Sequence, residues 1–214
     1  MNEESDVKVF CLRLFCSIEM AWVAGHASFP LSDVLPFLAG SPVRVKVPPK
    51  GQRHAFPVDL TTQQSLESDA DLHAMLQKQP LPSAWLNGPL ASFADSILML
   101  ELTDNAPQDY CKGAVPATNK HMLAVFVQSK WRAPHRQQVG EAFVLEYNKC
   151  SKITCVPWLF VLISDSDHTA HNVARNAPHN SNGYFMNGES LSLLYGNRLA
   201  ELRKAAWDMW LVKP

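Results

Sequence analysis

The chain has 214 residues, 47% of them hydrophobic and six of them Trp, enough to bury the core of one globular domain and too apolar for a disordered one. Its formal charge of -1 excludes a generally basic polyanion binder, so any nucleic-acid site has to be a local patch. The five cysteines (Cys11, Cys16, Cys111, Cys150, Cys155) are odd in number and show no CxxC spacing, which argues against a zinc knuckle or a disulfide framework and for free thiols in a reducing compartment.

The opening "MNEESDVK" is acidic where a secretory signal needs a basic start, and no apolar run approaches a membrane span. A soluble chain without a membrane partner is expected, either whole or one domain of a longer protein. Residues 7–24, "VKVFCLRLFCSIEMAWVA", place apolar groups at both helical and strand spacing; their length and the closing Gly25 predict a helix, with Glu19 inside it. "VRVKVPP" at 43–49 predicts a short half-exposed strand ended by its prolines. "DLTTQQSLESDADLHAMLQKQ" at 59–79 predicts a solvent-facing helix, and "SAWLNGPLASF" at 83–93 predicts a loop.

The next elements matter most. "ADSILMLEL" at 94–102 and "HMLAVFVQSK" at 121–130 predict two buried strands of similar length, joined by the polar, turn-rich connection 103–120 into an antiparallel hairpin. Residues 136–150 predict a helix and "VPWLFVLISD" at 156–165 a further buried strand, parallel to 121–130 because a helical crossover joins them. The polar stretch 166–185 predicts a loop, and 191–210 a final helical region. The sum is an α/β fold: a mixed central β-sheet with flanking helices.

The strand at 121–130 ends abruptly on Gln128, Ser129 and Lys130. Gln128 and Lys130 are two apart and share a face. Antiparallel pairing brings Asp95, near the start of one strand, beside the end of the other. A carboxylate and an amide oxygen are hard ligands suited to Mg²⁺ or Mn²⁺, which keep several waters and are completed by substrate phosphate. A lysine beside them can orient a water or stabilise developing phosphoryl charge.

At these residues the chain resembles the restriction-endonuclease-like, or PD-(D/E)xK, nuclease superfamily, in which an Asp opens one strand and a second strand ends in (Asp/Glu/Gln)-x-Lys. It is similar in particular to the nuclease domain of Crinkler effectors and retrotransposon hot spot proteins, through "WLNGPLASFADSILML" followed by "LAVFVQSKW". The family also carries a Glu in its first helix, and Glu19 of "FCSIEMAWVAG" is the matching position. The resemblance implies a single domain over 1–214, with a restriction-endonuclease-like core at about 8–165 and a C-terminal helical region at about 190–210. It implies a Mg²⁺-dependent endonuclease acting on DNA inside the cell, in the nucleus of a host if the protein is an effector. Asp95 and Gln128 would be metal ligands, Lys130 the charge-stabilising residue and Glu19 an accessory.

There are two departures. Gln128 stands where the conventional residue is acidic, and a neutral amide contributes less to holding a cation. No P-loop is present, although such nuclease domains often follow an ATPase domain, so the chain reads as a fragment or as a reduced member that works with a partner. Trp131, Arg132, His135 and Arg136 read either as a cationic, aromatic patch for nucleic acid or as an ordinary connection. His168, His171 and His179 lie in an Asn- and Ser-rich stretch without ligand spacing and read as solvated. The competing functional reading is a catalytically inactive module of the same fold that binds nucleic acid or protein.

Overall fold

The computed structural model describes residues 3–35, 38, 41–47, 70, 85–90, 94–130, 136–164, 182–186, 196 and 201. Helix α1 (Glu3–Val23) is the one predicted from residue 7, begun a turn earlier. Its mixed spacing resolves as a helix because Phe10, Leu14, Ile18 and Ala21 form one stripe, all buried. It stops where Gly25 takes a φ of 73°. The Gly25 amide then donates to the Trp22 carbonyl at 2.9 Å and the His26 amide to the Ala21 carbonyl at 2.8 Å, which satisfies carbonyls that the helix end would leave unpaired.

Strands β1 (Ser28–Pro30) and β2 (Arg44–Lys46) form a small antiparallel pair, linked by a bridge from Val45 to Leu102. Strand β2 is the core of the strand predicted at 43–49, whereas β1 is too short to show any alternation in sequence. The main sheet is five-stranded, in the order β3 (Trp85–Leu90), β4 (Ala94–Glu101), β5 (Met122–Lys130), β6 (Trp158–Ser164), β7 (Gly183–Met186). Strands β3, β4 and β5 are antiparallel neighbours, while β5, β6 and β7 run parallel, with helix α2 (Arg136–Cys150) between β5 and β6. The predicted hairpin, the parallel crossover and the mixed sheet are therefore present.

Two predictions are corrected. The loop predicted at 83–93 contains β3: Gly88 and Pro89 read as turn residues, but the sheet absorbs them in an irregularity between Asn87 and Leu90 on an outer strand. The loop predicted at 166–185 closes with β7, whose four residues are too few for a periodic signal and pair, among the described strands, only with β6. The helix predicted at 59–79 and the helical region at 191–210 lie outside the described residues, apart from Ala70, Gly196 and Glu201.

The sheet separates two cores, and β5 supplies both. Leu123, Val125 and Val127 join Leu100, Leu159, Val161 and Ile163 under the buried stripe of α1. Met122, Ala124 and Phe126 join Met99, Trp158, Phe160 and Leu162 under Phe143, Tyr147 and Cys150 of α2. A strand covered on both faces is apolar at almost every position, which is why β5 and β6 read as continuous runs.

On the α2 side the packing leaves no room at Gly183. A Cβ there would stand 2.8 Å from Cδ2 of Tyr147 and 3.0 Å from Cζ of Phe143. Those rings are stacked at 6.0 Å and buried. The Tyr147 hydroxyl donates to Oδ1 of the buried Asn182 at 2.8 Å, so neither ring can swing aside freely. Gly183→Ala is expected to destabilise the fold by about 1–3 kcal/mol, read as a lower midpoint in urea unfolding with an unchanged slope.

Candidate functional site at the strand ends

The alternation along each strand assigns its last residues to a face. On β5 the residues of even number through Phe126 belong to the α2 side, so Gln128 and Lys130 continue that side and Ser129 faces α1. On β4 Met99 lies on the α2 side and Leu100 on the α1 side, which assigns position 95 to the α2 side. The hairpin register pairs Ser96 with Val127; continued by one residue, it sets Asp95 opposite Gln128. The register between β5 and β6 pairs Gln128 with Leu162 and Lys130 with Ser164. Positions 95, 128, 130 and 164 thus gather at one end of three adjacent strands, on one face of the sheet.

This end is polar and covered. Gln128 is 7% exposed, Ser129 1% and Ser164 2%. The end also holds the carboxyl termini of the parallel strands β5 and β6, and open α/β sheets receive ligands outside the carboxyl ends of their strands. The backbone register sets positions 95, 128 and 130 at the same end of the sheet. Ser164 was missed. The signal available was that it is the first polar residue of "WLFVLIS", in a strand already predicted parallel to β5.

Glu19 belongs to a different element. It follows the buried Ile18 on α1, the helix that covers the opposite face of the sheet, and lies a turn from the helix end that leads into β1. The β1–β2 pair meets the main sheet at Leu102, the end of the hairpin remote from Asp95. Of the cationic, aromatic patch, Arg136 is the first residue of α2, while Trp131 and Arg132 lie outside the described residues, as do His168, His171 and His179.

Other chemistry finds little support among the described residues. No three His, Cys, Asp or Glu side chains converge in a way that could hold a metal ion. Burial, with the nearby Glu146 carboxylate adding to it, pushes the Cys150 thiol well above the usual range, and burial likewise raises Cys111, so neither is a ready thiolate. Burial and a hydrogen bond with Tyr110 raise the Tyr184 hydroxyl, on the α1 side of the sheet. Cys16, Cys111, Cys150 and Cys155 are free thiols. No described helix is long and apolar enough to cross a membrane.

At positions 95, 128 and 130 the sequence carries one carboxylate, one amide and one lysine. No family model matches the chain, nor does any curated protein or solved structure.

Proposed function

We propose that the protein is a Mg²⁺-dependent nuclease of the restriction-endonuclease-like kind, hydrolysing phosphodiester bonds in DNA. The observation that carries this reading is the hairpin register, which pairs Ser96 with Val127 and, if extended by one residue, would set position 95 opposite Gln128, with Lys130 two residues on. The mixed sheet supports it to the extent of the α/β class: strands β3 to β5 are antiparallel, and a helix lies between β5 and the parallel strand β6.

In this reading Asp95 and the Gln128 amide oxygen hold the ion. A bound Mg²⁺ would supply neutralisation of the phosphoryl oxygens and acidification of a water. Lys130 orients the attacking water and balances the negative charge that grows on phosphorus-bound oxygen as the ester bond breaks. The strand ends would give positions 95, 128 and 130 a stiff support, because a hydrogen-bonded sheet is stiffer than a loop. Arg132 and Arg136, with Trp131, are the residues on the adjoining connection that would meet the DNA backbone and a base.

The second reading is a module that retains the fold and binds nucleic acid or protein without cleaving. Gln128 favours it, since the neutral amide stands where a carboxylate would hold the cation more firmly. Gln128→Glu separates the two. If Gln128 is a ligand, the added charge should tighten Mg²⁺ binding roughly tenfold, about 1.4 kcal/mol, measured by calorimetry, and preserve or raise the cleavage of plasmid and linear DNA. The same carboxylate buried without an ion is unfavourable, so Mg²⁺ should raise the melting temperature of the variant more than that of the wild type. A wild type that cleaves nothing with Mg²⁺ or Mn²⁺, alongside a Gln128→Glu variant whose Mg²⁺ affinity is unchanged, would leave the binding module as the better reading.

A further inference from the structure

We propose that the surface where the connection 111–121 meets the end of α2 and the turn after it, 147–157, binds the phosphate backbone of duplex nucleic acid. It lies at the opposite end of the nine-residue β5 from Gln128 and Lys130, about 25–30 Å away, and the inference holds under either reading of the strand ends. Neither segment contains Asp or Glu, yet together they carry Lys112, Lys120, Lys149 and Lys152, in a chain whose formal charge is -1. The fold joins the two segments. The Asn119 side-chain amide donates to the Cys155 carbonyl at 2.8 Å, and a Cβ on Gly113 would stand 3.3 Å from Cγ2 of Thr154. The Lys152 amide donates to the Lys149 carbonyl at 3.2 Å, so the turn stays tied to the end of α2. Burial raises the Cys111 thiol and Lys120 opposes the rise, which sets that ammonium near the start of the first segment.

The surface has the chemistry of a phosphate contact. Lys120 and Lys152 are exposed, Lys112 and Lys149 half-exposed, and Gly113, Thr118 and Thr154 are exposed among them. Ammonium groups, hydroxyls and backbone amides are the donors that meet the phosphates of a duplex. Glu146, just before the second segment, pairs with Lys149 at 2.8 Å, which leaves Lys112, Lys120 and Lys152 as the lysines to test. A duplex carries one negative charge for about every 1.7 Å of its axis, so it meets lysines at almost any spacing, whereas an acidic protein would need carboxylates in a matching array. A bilayer suits the surface less well, because stable attachment takes an apolar anchor besides the positive charge. Among the described residues the exposed large hydrophobics are Met20 and Val23 on α1 and Leu145 alone on α2.

The test is binding of a DNA duplex of about 30 base pairs, followed by fluorescence anisotropy with a chelator present to prevent cleavage, at salt concentrations from about 50 to 200 mM. The triple variant Lys112→Gln, Lys120→Gln, Lys152→Gln should bind at least about tenfold more weakly near 100 mM salt. Its slope of log affinity against log salt should fall by about 2–3, since each lost phosphate contact accounts for about 0.9. A charge-matched control, Arg13→Gln, Arg44→Gln, Lys46→Gln, removes three cations from α1 and β2 on the other side of the sheet and should leave both quantities nearly unchanged. Melting temperatures should stay near the wild-type value in both triples, because such surface changes alter stability little. If the first triple does not fold, Lys120→Glu alone should still lower affinity and slope. Equal losses in the two triples would reduce the effect to overall charge and overturn the proposal, as would a wild type that does not bind the duplex or binds it independently of salt. Vesicles of phosphatidylcholine and phosphatidylserine bound as tightly as the duplex would assign the surface to a membrane and overturn it too. Cleavage is not read in this test, so failure of the nuclease reading would leave the proposal standing.

Discussion

Asp95→Ala is expected to lose metal-dependent DNA cleavage by at least about 10³-fold, because it removes the sole carboxylate of the proposed ion site and an ion supplies several kcal/mol of charge stabilisation in phosphoryl transfer. The loss should appear first as a loss of Mg²⁺ affinity. Raising Mg²⁺ should then recover part of the rate, whereas raising DNA should not. Calorimetric titration of Mg²⁺ and cleavage at two ion concentrations separate these effects. Circular dichroism should return the wild-type spectrum, since position 95 lies near the start of β4 and the pairing of that strand with β5 is carried onward from Ser96 to Glu101. Undiminished cleavage in Asp95→Ala would end the assignment of this site.

Lys130→Ala should leave the ion in place and slow the chemical step by about 10²- to 10³-fold, the range found when one preorganised charge-stabilising group is removed. Its signature is the reverse of the first: Mg²⁺ affinity intact or slightly tighter, with a cation removed from its vicinity, KM for DNA little changed, and kcat reduced. Lys130→Arg should recover little, because a planar fork does not replace a compact ammonium whose position is set by its neighbours. Equal rates for wild type and Lys130→Ala, together with indifference to a chelator, would contradict a metal-assisted mechanism.

The parts of this fold that were legible in sequence are those in which composition and geometry impose the same pattern. Strands β5 and β6, buried on both faces, read as unbroken apolar runs, and the connection 103–120 is polar enough to separate two strands without ambiguity. Strand β3 was hidden by Gly88 and Pro89, whose turn preference is local while the pairing that overrides it comes from β4. Strand β7 was hidden because its position is held by contacts from elsewhere, namely β6 alongside it and the aromatic rings of α2 pressed against Gly183. At the strand ends, the common placement of positions 95, 128 and 130 was legible because a hairpin needs only the order of two strands. Where Glu19 stands relative to them was not, because helical spacing gives a residue its side of a helix but not which face of the sheet that helix covers. Ser164 required a register between strands separated by a helix, and no short-range rule supplies one.

The irregularity in β3 also bears on how the protein behaves at high concentration. Among the described strands β3 is one border of the main sheet, and a border strand offers its unused backbone groups to any extended chain that passes. Here Trp85, Leu86 and Asn87 pair in order with β4, and the ladder then breaks before Leu90, with Pro89, which has no amide hydrogen, inside the break. An incoming strand would meet a short regular stretch and then a kinked one it could not follow. The Gly-Pro step that concealed this strand from a sequence reader thus confines the regular β3–β4 pairing, among the described residues, to Trp85–Asn87 and the single pair at Leu90.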